Sequence, residues 1–180
     1  IQQFLPLLSQ AFATLFTVPK PVIAAVNGHA LAGGCILTAA CDQRLMADGP
    51  GLIGATEVVV GVPFPSWALE IMRFATPPQH AQTVLLTGRA FSVQDGLRLG
   101  LLDEVVAPDQ LMKRAIEVAR ELGSIPEATF AHTKRQLRQP TINRVERHGP
   151  DFDALAEAMW ASPETQDHVR AFLAARLGNS

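Results

Sequence analysis

The chemical potential of this chain is concentrated in a stretch with few reactive side chains. From Lys20 to Asp42 it reads KPVIAAVNGHALAGGCILTAACD. The short apolar run 21–26, closed by Asn27-Gly28, predicts a buried strand followed by a turn. Ala32-Gly33-Gly34 then carries no bulky side chain just where an apolar helix, 33–41, is predicted to begin. The first N–H groups of a helix lack partners inside it, and the helix dipole adds partial positive charge. Such a junction suits an anionic oxygen, and an oxyanion hole is one use of it. Tight helix packing is another reason for small residues in that place.

Other chemistries find less support. Gly28, Gly33 and Gly34 do not fit G-x-G-x-x-G, and no G-K-[ST] follows, so neither a dinucleotide turn nor a phosphate loop is indicated. His29 falls in the turn and is expected to fill it. His80, His132, His148 and His168 are scattered, with no H-x-x-x-H pair and no triad pattern, and no metal site is expected. Cys35 and Cys41 share one predicted helix without a C-x-x-C motif, and both are expected to be core filler.

The elements that must position this junction follow from periodicity and punctuation. Residues 4–16 read as a helix feeding the strand at Val22. Leu45-Met46 and Leu52-Ile53 read as short strands around Gly49-Pro50-Gly51, with loop dominating from there to Ser66, where a helix can begin. Residues 79–86, 92–99 and 111–122 read as helices, and Val105-Val106 as a strand. Only helical signals follow Pro126, with Pro140, Pro150 and Pro163 as expected breaks. Strand-helix alternation followed by a helical tail predicts an α/β core, 1–107, and a helical region, 108–180. The chain has 180 residues, 48% hydrophobic and 18% charged, with a formal net charge of −2, as expected for one soluble globular unit. There is no basic stripe interleaved with aromatics and no Tyr, so nucleic acid is not an expected partner. No apolar run approaches the roughly 20 residues of a membrane span, no signal-peptide pattern opens the sequence, and the expected location is cytoplasmic.

The segment around Gly33-Gly34 resembles the glycine-rich signature of the enoyl-CoA hydratase/isomerase (crotonase) superfamily, and further similar features follow in order. The stretch 42–48, DQRLMAD, resembles the family's next strand, and Gly54-Ala55-Thr56-Glu57 with Gly61 resembles its active-site loop. The stretches 88–92, GRAFS, and 100–106, GLLDEVV, resemble its later helix and strand. The resemblance implies a crotonase-like spiral of ββα units with a C-terminal helical extension. It implies an acyl-CoA thioester as substrate, no cofactor beyond the coenzyme A it carries, and a homotrimer or dimer of trimers. The family's N-terminal strands, with the loop that supplies the second oxyanion N–H, have no counterpart here, so an N-terminally incomplete core with an unpaired sheet edge is expected.

Which reaction is implied turns on carboxylates. Family hydratases use two glutamates to hold water and shuttle its proton. The place of one, two positions after the second glycine, is taken by Ile36; the place of the other is taken by Glu57. Moving a double bond needs only one such group, so the resemblance implies a 3,2-enoyl-CoA isomerase with Glu57 as acid/base and the Gly33 N–H as an oxyanion donor. Pro65 and Trp67 after Gly61 look more like the mitochondrial-type isomerases than the hydratases. Ala32, Gly34 and Ile36 are the expected substrate contacts beside them, and Phe64 and Trp67 either line an acyl tunnel or pack in the core. Glu70 is expected to be structural or exposed, and Asp42 to orient the turn. Lys20, Lys134, Arg135 and Arg138 could meet the coenzyme A phosphates, although a solvated helix face is the expectation for the last three. A hydratase whose second acid comes from elsewhere, and a non-catalytic acyl-CoA-binding or scaffold paralogue, are the alternatives.

Overall fold

A computed structural model describes residues 3–177. Helix α1 (Phe4–Thr17) delivers the chain to β1 (Ile23–Val26), β2 (Ala30–Leu31) and α2 (Gly33–Ala40). The same order returns as β3 (Gln43–Ala47), β4 (Leu52–Gly54) and α3 (Glu57–Val60), followed by α4 (Ser66–Ala75) and α5 (Pro78–Thr87). Then come β5 (Phe91–Ser92), α6 (Val93–Arg98), β6 (Glu104–Val106), a 3₁₀ turn and α7 (Leu111–Gly123). Two long helices, α8 (Glu127–Ala161) and α9 (Pro163–Leu177), complete the described chain.

The first strand of each ββα unit joins one sheet and the second joins another. Strands β1, β3 and β6 are parallel in that order, with Ile23 opposite Gln43 and Leu45 opposite Glu104. In the second sheet β2 pairs parallel to β4, and β4 antiparallel to β5. The ββα spiral is thus present, although no sequence repeat announces it. Side-chain alternation along β3 separates two cores. Leu45 packs with Leu111, Ala115 and Val118 of α7, while Met46 joins Phe12, Phe16, Ile36, Ile71 and Met72 among α1, α2 and α4.

Several expectations are corrected. Strand β1 is half-buried rather than buried, because it lies at an edge of its sheet. The two-residue β2 and four-residue α3 were not foreseen, being too short for any periodic signal. Pro163 does open a new helix, but α8 runs unbroken through Pro140 and Pro150. A mid-helix proline forfeits one backbone bond and crowds the carbonyl four residues earlier, at about 3 kcal/mol. Here Lys134, Arg138, Thr141, Val145 and Gly149 form a buried stripe at helical spacing on both sides of Pro140, and packing of that stripe against the body offsets the cost.

Lys134 and Arg138 are accordingly not on a solvated face; they are 7% and 3% exposed, whereas Arg135 is exposed. The Lys134 ammonium donates to Asp42 Oδ2 at 2.6 Å and to the Lys20 carbonyl at 2.9 Å. The Arg138 guanidinium donates to Asp42 Oδ1 at 2.8 Å and to the carbonyls of Phe16, Ala40 and Cys41, and lies 4.2 Å from the centroid of the Phe16 ring. Positive charge thus meets the carbonyl end of α2, where the helix dipole favours it. Asp42 also accepts from the Val22 N–H at 2.8 Å, so it orients the chain entering β1, as expected.

Candidate active site

The glycine-rich turn is built by pairing between β2 and β4. Leu31 lies opposite Gly54, and the Ala32 N–H donates to the Gly54 carbonyl at 2.9 Å. Ala32 then takes φ 49°, ψ −124°, an unusual conformation for a residue with a Cβ, with a cost on the order of 1–3 kcal/mol. The bend lets its carbonyl accept from both Cys35 N–H (2.9 Å) and Ile36 N–H (3.1 Å), which starts α2. Among the described residues, the N–H groups of Gly33 and Gly34 have no backbone acceptor. A Cβ at Gly33 would come no closer than 3.9 Å to Phe12, and one at Gly34 would meet nothing within 4 Å. Tight packing therefore does not require these glycines; the space beside their backbone is open.

Glu57 opens α3, three residues beyond the Gly54 anchor, and is 6% exposed. Its Oε2 is buried without a hydrogen-bond partner among the described residues. Burial pushes the carboxyl up from its ordinary 4.5 to about 7, with a backbone hydrogen bond from its own residue opposing. Its charge reaches Cys35 in the first turn of α2, whose thiol burial, seconded by Glu57, holds up at about 12. A half-neutral carboxyl at neutral pH is suited to taking and returning a proton. Gly61 ends α3 in the left-handed region at φ 90°, and the Val62 N–H returns to the Glu57 carbonyl at 3.0 Å.

Ile36, two positions after Gly34, is 1% exposed and belongs to the main core. Phe64 lines a cavity of about 670 Å³ between α4 and α8, with Leu155 and Met159 on the opposite wall. Trp67 does not share that cavity; it meets Phe16 edge to face at 6.3 Å. Glu70 is structural, accepting from Arg144 Nε at 2.7 Å and pairing with Arg73. His29 fills the turn, its Nδ1 accepting from the Leu52 N–H at 3.2 Å. Cys35 is buried in the main core, as expected, whereas no role was foreseen for Trp160 or His168. Trp160 Nε1 donates to the Pro63 carbonyl at 2.9 Å, and His168 lies against Gly61. No local signal marks such partners, which lie about a hundred residues from the loop they touch.

Residues 2–176 match the family model described as enoyl-CoA hydratase/isomerase. The chain is 32% identical over 139 residues to mouse mitochondrial enoyl-CoA delta isomerase 1, covering 77% of this chain and 48% of that protein. It is 30% identical over 171 residues to the probable enoyl-CoA hydratase EchA17 of Mycobacterium tuberculosis, covering 95% of this chain and 60% of that one. The crystal structure of human mitochondrial delta3-delta2-enoyl-CoA isomerase superposes with a TM-score of 0.87 at 25% identity, over 96% of this chain and 67% of that one. The chain thus spans about half to three-fifths of the length of these curated relatives.

Proposed function

Because the chain belongs to the enoyl-CoA hydratase/isomerase family, we propose that it acts on acyl-CoA thioesters as a 3,2-enoyl-CoA isomerase. Glu57 removes a proton from the carbon between the thioester carbonyl and the double bond. The electrons move into a dienolate, and the Gly33 N–H is one donor to its oxygen. The same carboxyl returns the proton two carbons further along, which leaves the double bond conjugated with the carbonyl. Ala32 sets the bend that presents the donor, Gly34 leaves room for the thioester, and Ile36 keeps out the water that addition would need. Of the two aromatic candidates Phe64, which lines a cavity, is assigned to the acyl chain, while Trp67 packs on Phe16. No cofactor is required beyond the coenzyme A of the substrate. A homotrimer or dimer of trimers, and a cytoplasmic location, complete the proposal; the exposed Phe152, Leu155 and Met159 on α8 are apolar surface available to a subunit contact.

The observation that carries this reading is the buried oxygen of Glu57, without a hydrogen-bond partner among the described residues, in a site whose second acid position holds Ile36. A hydratase is the second reading, favoured by the similarity to EchA17 over nearly the whole chain. A coupled spectrophotometric assay of the full-length protein and its Glu57→Gln variant, given a 3-enoyl-CoA and separately a 2-enoyl-CoA, decides between them. Isomerisation abolished by the substitution, with negligible hydration, is the expected result. Robust hydration would establish the second reading, and tight binding of both esters without turnover would indicate a non-catalytic binding protein.

A further inference from the structure

Helix α3 has only four residues, too few to hold its own position, so Glu57 is placed by what α3 packs on, the turn at Gly88 against Val58 and Val59, and by what grips the chain on either side. Upstream the grip is the β2–β4 pairing at Gly54. Downstream, residues 61–65 have no regular structure; Gly61 and Val62 bond back to α3, Phe64 packs on the main core, and further partners come from α8 and α9. Trp160 Nε1–H donates to the Pro63 carbonyl at 2.9 Å. Asp153 Oδ1 accepts from the Ser66 N–H at 2.7 Å, capping α4 from another helix, and the Ser66 hydroxyl donates to the Gly149 carbonyl at 3.4 Å. On α9 the His168 ring fills the space a side chain at Gly61 would need. The two helices act together, because Gln166 of α9 donates to the Trp160 carbonyl at 2.9 Å.

We propose that Trp160 and Asp153 are positioning residues that clasp the segment after α3 and thereby fix Glu57 against the oxyanion turn. The inference rests on the reading of Glu57 as acid/base and holds for isomerase and hydratase alike. A carboxylate displaced by about 1 Å from its proton can lose on the order of a hundredfold in rate. Trp160→Phe keeps the ring and removes the donor; Asp153→Ala removes the cap, and Asp153→Asn keeps an acceptor oxygen.

The test measures kcat and KM of the full-length protein beside thermal unfolding and hydrogen–deuterium exchange of the peptide covering residues 57–66. Trp160→Phe and Asp153→Ala are expected to lower kcat about tenfold or more with KM within about twofold. They should speed exchange in that peptide while the protein stays folded, and Asp153→Asn should recover most of the rate. Unchanged exchange in Trp160→Phe overturns the clasp whatever Glu57 does. Faster exchange with unchanged kcat, or kcat lost only in step with folded protein, overturns the positioning role. Full turnover by Glu57→Gln overturns the acid/base reading, and the positioning role falls with it.

Discussion

Cys35 and Glu57 are electrostatically linked, one in the first turn of α2, which follows the glycine-rich turn, the other at the start of α3. The thiol sits at about 12, raised first by burial and next by the Glu57 charge. The carboxyl sits at about 7, raised by burial. Each group is therefore tuned by removal from water, which penalises the charged form of both.

That tuning fixes the pH dependence of the reaction. In its proposed role as base Glu57 must be ionised, so kcat/KM should rise tenfold per pH unit below about pH 7 and level off above it. Initial rates between pH 5 and 9 read this limb directly; a limb near pH 4.5 would mean the carboxyl is solvated in the working enzyme.

The same shift has a stability consequence of opposite sense. A carboxyl whose folded pKa lies above its unfolded value contributes stability that is fully present below about 4.5 and lost as pH rises through about 7. From 4.5 to about 7 the difference is on the order of 3 kcal/mol. Glu57→Gln should therefore melt several degrees above the wild type at pH 8 and within a degree or two of it at pH 4, as thermal unfolding at the two pH values would show.

Neither cysteine should behave as a reactive thiol. Burial raises Cys35 to about 12; Cys41 stands at about 11, raised by burial and then by Asp42. Iodoacetamide at pH 8 is expected to leave both unmodified in the folded protein and to alkylate both in urea, as mass spectrometry would count. Rapid native labelling of Cys35 would mean that the site opens widely.

Arg138 should be the most costly cation to remove. Its guanidinium holds Asp42 and three main-chain carbonyls, and stands over Phe16. Among the described residues, Arg138→Ala leaves Asp42 with only Lys134 as a charged partner, with an expected loss of about 3–5 kcal/mol in urea unfolding. Arg138→Lys should recover little, because one ammonium cannot reach four acceptors in a planar fork.

Ile36→Glu tests what separates the two reactions. A carboxylate introduced at this buried position should give detectable hydration of a 2-enoyl-CoA, seen as 3-hydroxyacyl-CoA by chromatography. It should also lower isomerisation at least tenfold by bringing a charge and water into the apolar core that holds Ile36. Absence of any hydration in a folded variant would show that replacing Ile36 is not sufficient.

Local pattern determined much of this protein. The apolar run before Asn27-Gly28, the small residues at 32–34 and the periodic stretches of α1, α4 and α7 each carry their signal in neighbouring residues, and each appears in place. The position of Glu57 just before the turn at Gly61 was legible too, because a motif is a matter of spacing. Tertiary structure alone decided the rest. It split β1 and β2 between two sheets and carried α8 through Pro140 and Pro150. It buried Lys134 and Arg138 around Asp42 and brought Trp160 to Pro63. Burial and long-range pairing depend on which groups exclude water from one another, and those groups come from positions tens to over a hundred residues apart, where the sequence carries no local mark of their meeting.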